Sequence, residues 1–108
     1  MPMLRFGRIL TLAAAVALSP GAIAAGKSHQ VVIEGIKFVP ERIEVAVGDS
    51  ITWVNKDPVP HTVTNAAKKI ESGTIDPNGK WKYVVRRKGD IDYVCRFHPG
   101  MRGTISVK

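Results

Sequence analysis

Short runs in which apolar and polar residues alternate make up most of the chain after about residue 30. Alternation with a period of two is typical of strands, because successive side chains point to opposite faces of a sheet. Together with the short β-branched run 61–64, these runs predict about seven strands. The predicted inward-facing positions are Val31, Ile33, Ile43, Val45, Val47, Ile51, Trp53, Trp81, Tyr83, Val85, Ile91, Tyr93, Cys95, Ile105 and Val107.

Turn-forming residues separate the predicted strands. They are Gly48-Asp49, Pro58, Pro60, Asn78-Gly79 and Gly89. An Asn-Gly pair between alternating runs favours a hairpin, so we expect one at residues 78–79. Residues 65–72 could form a helical turn, but we expect mostly loop there. Short strands separated by such turns predict an all-β fold, a β-sandwich that forms a single domain.

The first 24 residues have the layout of a secretory signal peptide. Arg5 and Arg8 precede an apolar run over residues 9–18, and a small-x-small pattern follows at residues 22–24. A retained anchor helix is the alternative, but the run is about half the ~20 residues that span a membrane. We therefore predict export to the periplasm, a mature domain over residues 25–108 and no stable membrane insertion.

The charge of the chain indicates an anionic partner without identifying it. Its formal net charge is +7; without Arg5 and Arg8, 14 basic residues remain against 9 acidic ones, which gives +5. Such a balance favours acidic partners at low salt. Nucleic acid is a poor candidate, since the predicted export and the absence of a nucleic-acid-binding motif both argue against it.

Cys95 is the single cysteine, so it cannot form an internal disulfide. It either pairs with another molecule, remains a free thiol, or holds a metal ion. It is in phase with Ile91 and Tyr93, which places it at the end of a strand and pointing inward. That position alone favours a buried structural cysteine over a metal ligand.

Three side chains with metal-binding chemistry follow one another at three-residue steps: Cys95, His98 and Met101. Pro99 and Gly100 favour a turn, and a turn brings residues three apart within about 7 Å. The three donors can therefore converge on one point. Thiolate and thioether are soft ligands, and a thioether favours copper over calcium, magnesium or zinc.

The blue-copper donor set of two histidines, a cysteine and a weak axial methionine requires one more histidine. His29 lies near the start of the predicted mature domain, where we expect a solvated tail. His61 opens the run 61–64 after a proline-rich segment and is the better candidate. Four protein ligands leave no open position for a substrate, which argues against an enzyme.

The motifs "VGDSITWVN", "PHTVT", "GDIDYVC" and "CRFHPGMRGTISV" resemble the cupredoxins, small blue copper proteins of the plastocyanin, pseudoazurin and amicyanin group. The resemblance covers nearly all of residues 30–108, and the two-residue gaps on either side of His98 are most similar to amicyanin. It implies a Greek-key β-sandwich of eight strands with copper at one end. It also implies equatorial ligands His61, Cys95 and His98, an axial Met101, and electron passage through His98.

One position departs from the resemblance. Many cupredoxins have an asparagine after the first ligand histidine, where it joins the two ligand loops, and this chain has Thr62. A hydroxyl group can donate and accept hydrogen bonds, so it can serve instead. Loop rigidity and reduction potential depend on whether it does.

The predicted function is a soluble, monomeric electron carrier with one copper ion and transient redox partners. Pro60, Phe97, Pro99 and Gly100 would form an apolar docking patch around His98. Arg96 and Arg102 flank the ligand loop; they either steer an acidic partner or are ordinary solvated charges. Two alternatives remain: a copper carrier or chaperone with the same ligands, and a metal-free sandwich in which Cys95 is structural.

Overall fold

A computed structural model describes residues 26–108, so the predicted signal peptide and its cleavage site lie outside the described residues. The described part is almost entirely β, with one short 3-10 helix at Ala66–Lys68. Its nine strands are β1 Ser28–Ile33, β2 Phe38–Val39, β3 Arg42–Val45, β4 Ser50–Asn55, β5 Thr64–Asn65, β6 Ile70–Glu71, β7 Lys80–Val84, β8 Gly89–Val94 and β9 Arg102–Val107. No helix within residues 26–108 is long and apolar enough to cross a membrane.

The strands form two mixed sheets. One has the order β2-β1-β4-β7 and the other the order β3-β9-β8-β5-β6. β1 pairs with β4 in parallel, and β3 pairs with β9 in parallel, while the remaining neighbours are antiparallel. β4 and β8 lie in different sheets and end near the same pole of the sandwich, and we call this pole the site end.

The core follows the predicted alternation closely. Trp53 and Tyr93 are its largest buried side chains, and the indole Nε1 of Trp53 donates to the Tyr93 hydroxyl across the sandwich at 3.2 Å. Trp81 and Tyr83 are half-buried on the edge strand β7 and pack against the core. The other predicted inward positions that are buried are Val31, Ile33, Ile43, Val45, Ile51, Val85, Ile91, Cys95, Ile105 and Val107.

Several local predictions were wrong. Val47 is exposed because β3 ends at Val45. Asn78 and Gly79 do form a turn, and Asn78 has a φ of 66°. They do not form a hairpin, because β7 pairs with β4 and not with β6, the strand that immediately precedes it in the chain. The run 61–64 contributes an isolated bridge between His61 and Ile75 and the first residue of β5.

Candidate metal centre

His61 is placed by the loop that leaves β4. Asn55, at the end of that strand, is fully buried, and its amide donates to the carbonyl oxygens of Val59 at 2.8 Å and Ile75 at 3.0 Å. The backbone of His61 also pairs with Ile75 through two hydrogen bonds of 3.1 and 2.8 Å. The loop is therefore fixed at both ends, and His61 is fully buried at the site end.

The second loop leaves β8 and holds the other three predicted ligands. The Cys95 N–H donates to the Met101 carbonyl at 3.0 Å, and the Met101 N–H donates to the His98 carbonyl at 3.0 Å. Gly100 has a φ of 96°, a conformation that glycine adopts without a steric penalty. As predicted, the chain turns tightly between residues 95 and 101, and Cys95 lies just beyond the end of β8, buried.

Three donor atoms converge where the two loops meet. The Cys95 Sγ lies 3.7 Å from the His61 Nδ1 and 3.6 Å from the His98 Nδ1. The donor atoms of these three residues all lie within 4.8 Å of one another. Around a metal with bonds of about 2.3 Å to sulfur and 2.0 Å to nitrogen, such atoms are separated by about 3.5–3.8 Å. The two sulfur-to-nitrogen distances and the donor types therefore fit one bound metal ion.

Met101 is buried, and it belongs to the same apolar core cluster as Cys95. The backbone bonds of the loop keep Met101 beside Cys95 in space although six residues separate them in the chain. A thioether is a soft donor, so Met101 stays the predicted fourth ligand.

The His61 ring is oriented from behind by Asp57. The His61 Nε2 lies 2.7 Å from the Asp57 Oδ2, and the Asp57 carboxylate also accepts the N–H groups of Gly35 at 2.6 Å and Ile36 at 2.9 Å. Burial raises the pKa of Asp57, but the hydrogen bonds from Ile36, Gly35 and His61 outweigh it and lower that pKa below its usual value. An ionised carboxylate only accepts, so the Nε2 carries the proton and the Nδ1 presents its lone pair toward Cys95.

Thr62 does join the two loops. Its N–H donates to the Cys95 Sγ at 3.3 Å, and its Oγ1 accepts the N–H of Arg96 at 3.0 Å. The hydroxyl thus takes the place that the asparagine has in many cupredoxins. Both bonds run between residues more than thirty positions apart, so they hold the loops together directly at the thiol.

His29 lies away from this cluster, but the expectation that it belongs to a solvated tail was wrong. It belongs to β1 and is paired with Ile51 of β4. Its Nε2 lies 2.8 Å from the Oδ2 of Asp49, a buried residue in the turn before β4. His29 therefore has a structural partner at the pole opposite the site end.

The surface around His98 carries the predicted apolar side chains. His98 is half-buried, and Pro60, Phe97, Pro99 and Gly100 are exposed around it. Arg96 and Arg102 are also exposed, but the Arg96 Nη2 lies 3.0 Å from the Glu71 Oε1. Glu71 therefore offsets part of the positive charge that the sequence predicts beside the ligand loop.

Three residues that support the site were missed by sequence reasoning: Asn55, Asp57 and Glu71. Asp57 carried a local signal, an acidic residue four positions before the candidate histidine in a proline-rich turn. Asn55 and Glu71 carried none, because the partners that tie them to the second half of the site, Ile75 and Arg96, are 20 and 25 positions away in the chain.

Comparison with known sequences identifies the family. A family model described as a cupredoxin-like domain matches residues 7–107. The chain belongs to the cupredoxin family. The resemblance drawn from its motifs is confirmed, and so is the all-β cupredoxin sandwich, with nine strands among residues 26–108 where about seven to eight were expected.

Several relatives of this cupredoxin are amicyanins. Amicyanin-alpha of Methylorubrum extorquens is 29% identical over 110 residues, covering 93% of this chain and 92% of the relative. Amicyanin of Paracoccus denitrificans is 32% identical over 81 residues, covering 70% of this chain and 62% of the relative. Plastocyanins match as well, for example that of Physcomitrium patens at 30% identity over 83 residues, covering 65% of this chain and 49% of the relative.

Solved structures give the same grouping. The Cu(I) form of an amicyanin mutant superposes with a TM-score of 0.72 at 28% identity, covering 81% of this chain and 88% of that one. A purple cupredoxin from Nitrosopumilus maritimus superposes with a TM-score of 0.68 at 26% identity, covering 74% and 99%. This cupredoxin is thus an electron carrier rather than an enzyme, and its cofactor is copper.

Proposed function

We propose that this cupredoxin is a small exported protein that shuttles single electrons between redox partners through one type 1 copper ion. His61, Cys95 and His98 would be the equatorial ligands, and Met101 the axial ligand. The observation that carries the proposal is the convergence of the His61 Nδ1, the Cys95 Sγ and the His98 Nδ1 at one point.

Bound copper supplies the chemistry by alternating between its one-electron-reduced and oxidised states. The protein supplies a site that changes little between them. His61 is held by Asp57 and by the bridge to Ile75, and Cys95 is held by Thr62. Because His61, Cys95 and Met101 are buried, water has little access to the donors, and burial is one determinant of the reduction potential.

His98 is the proposed route for electrons, since it is the donor residue that is not fully buried. Phe97, beside His98 in the chain, is 48% exposed, and Val59, in the loop before His61, is 37% exposed, so both ligand loops present apolar surface. Redox partners meet through small interfaces that form and separate quickly. We propose a transient partner with acidic groups near Arg102, and a monomeric carrier.

Residues 1–24 provide the proposed route of export. Their basic start, apolar run and small-x-small end match a secretory signal, and the amicyanin-like character of the domain is consistent with a periplasmic location. Mass spectrometry of the protein recovered from a periplasmic fraction tests this. A mature form that begins near Ala25 supports export, and a full-length form in the cytoplasmic fraction contradicts it.

The optical spectrum of the oxidised, copper-loaded protein tests the site. We expect an intense visible band from sulfur-to-copper charge transfer, and its loss in Cys95→Ser. His29→Gln is the matched control, because His29 lies away from the donors and the band should persist. A pale wild-type protein would contradict the proposal. Transfer of copper to an acceptor faster than electron exchange would favour a copper carrier instead.

A further inference from the structure

A chain of hydrogen bonds leads from the ligand loops to a carboxylate outside them. The Thr62 Oγ1 accepts the Arg96 N–H at 3.0 Å and lies 2.9 Å from the Thr64 Oγ1. The Thr64 Oγ1 in turn donates to the Glu71 Oε2 at 3.1 Å. Thr64 and Glu71 are direct cross-strand partners in the pairing of β5 with β6, which places the carboxylate beside the hydroxyl.

The Glu71 carboxylate gives this series of hydrogen bonds a single direction. Ionised Glu71 only accepts, so the single hydroxyl proton of Thr64 must be directed to it. Thr64 then has no proton left for Thr62, and the Thr62 hydroxyl must donate to Thr64. A lone pair of the Thr62 oxygen therefore faces the Arg96 N–H. Hydrogen bonds aligned in this way polarise and strengthen one another.

Arg96 closes this series of hydrogen bonds into a ring. Its backbone N–H is the first donor, and its guanidinium Nη2 lies 3.0 Å from the other oxygen of Glu71. The N–H of Gly73 also donates to the Glu71 Oε2 at 2.9 Å, which ties the carboxylate to the end of β6. The ring thus begins and ends at the residue after Cys95 and passes through the residue after His61.

We propose that Glu71 is a positioning residue of the copper site. By fixing the direction of the Thr64 and Thr62 hydroxyls, it holds Arg96 against Thr62 and so keeps the Cys95 thiolate on the Thr62 N–H. This rests on the proposed function only in taking Cys95 as a copper ligand. Glu71 touches no predicted ligand itself and acts through Thr64, Thr62 and Arg96.

The first test uses the copper-free protein and measures hydrogen exchange of the Arg96 amide by NMR. Thr62→Val removes its acceptor, and Glu71→Ala removes the acceptor that orients the ring. We expect exchange to become about three- to tenfold faster in each variant, the range of one modest hydrogen bond. The double variant should exchange no faster than Thr62→Val alone. Glu44→Gln is the matched control, because Glu44 is an exposed carboxylate that pairs with Lys108 at 3.8 Å.

The second test measures the reduction potential of the copper-loaded variants. Removing a negative charge shifts the potential by itself, so Glu71→Ala is compared in the wild-type and Thr62→Val backgrounds. Positioning predicts a clearly smaller shift in the Thr62→Val background, while a charge effect alone predicts equal shifts. Glu71→Gln, which keeps an acceptor oxygen, should restore most of the slow Arg96 exchange.

Equal shifts in both backgrounds, or Arg96 exchange that Glu71→Ala leaves unchanged, would overturn the proposal. Failure of this proposal can be distinguished from failure of the proposed function, since exchange in the copper-free protein reports on the ring even if copper does not bind. Glu71 is 43% exposed, so its replacement by glutamine should leave the domain folded.

Discussion

The imidazole of His61 and the carboxylate of Asp57 face each other at 2.7 Å, on the side of the ring away from Cys95. Both residues are buried, and Asp57 is held in turn by two backbone N–H groups of the turn between β1 and β2. The ring cannot rotate without breaking this contact. The Nδ1 is therefore presented toward Cys95 before any metal arrives.

Asp57→Asn should lower copper affinity. The amide nitrogen that replaces one carboxylate oxygen cannot accept a hydrogen bond. Either Gly35, or Ile36 together with His61, therefore loses its acceptor. Residues that orient a ligand from behind typically contribute about 10–100-fold in metal affinity. Competition titration with a chelator measures this. The control is Asp90→Asn, an exposed carboxylate 3.6 Å from Arg42, and an equal loss in the control would contradict the role of Asp57.

Alternation and loop spacing made much of the fold predictable from sequence. The faces of Trp53 and Tyr93 follow from a period of two, and the turn at Gly100 follows from Pro-Gly chemistry. The sequence does not show which turns lie next to each other in the folded protein. Asp57 receives the N–H of Gly35 from 22 positions earlier in the chain, and only the parallel pairing of β1 with β4 brings them together.

Strand pairing, which local sequence does not show, also explains the wrong predictions for residues 78–79 and for His29. The Asn78-Gly79 pair is a local turn signal and does form a turn, but strand pairing is decided by the whole sheet. β6 and β7 lie in different sheets, so the chain crosses between the sheets before β7 begins at Lys80 rather than folding back on β6. His29 was judged by its closeness to the start of the predicted mature domain, whereas its parallel pairing with Ile51 orders it.

Met101→Leu should raise the reduction potential of the copper-loaded protein. A thioether donates electron density and stabilises the oxidised ion more than the reduced one, and leucine cannot replace that donor. The two side chains have similar volumes, so the free energy of unfolding of the copper-free protein should change by less than about 1.5 kcal/mol. Voltammetry and urea unfolding measure the two quantities. An unchanged potential would show that Met101 is not an axial ligand.

Asp49 should make stability depend on acid pH. Its carboxylate accepts the Ala46 N–H at 2.9 Å, His29 at 2.8 Å and the Lys27 N–H at 2.9 Å. The Ala46 N–H, followed by His29, lowers the pKa of Asp49 from 3.8 to about 2. A pKa lowered by folding stabilises the protein above the unfolded value and loses that effect as pH falls toward the folded value.

The expected result for Asp49→Asn is a lower free energy of unfolding at pH 5 and a smaller difference from wild type at pH 2. Urea unfolding of the copper-free proteins across this interval measures the difference. Asp90→Asn again serves as the control, since exposed ion pairs contribute about 0–1 kcal/mol. A difference between wild type and Asp49→Asn that stays constant from pH 5 to pH 2 would contradict the assigned role.

Tyr93 should make stability depend on alkaline pH, in the opposite sense. Burial raises the pKa of its hydroxyl to about 12, although the Trp53 N–H acts against this. The unfolded chain loses this proton near pH 10, so between pH 10 and 12 deprotonation stabilises the unfolded state alone. The free energy of unfolding should therefore fall by about 2 kcal/mol over this range because of Tyr93.

Tyr93→Phe separates this effect from the other groups that titrate at high pH. At pH 7 the variant leaves the Trp53 N–H without its partner, and we expect it to be less stable than wild type by about 1–3 kcal/mol. As pH rises to 12, wild type loses stability through Tyr93 and the variant does not, so the gap should close. Tyr83→Phe, on the half-buried edge strand, is the control. A gap that is the same at pH 7 and pH 12 would mean that the Tyr93 hydroxyl ionises equally readily in the folded and unfolded chains.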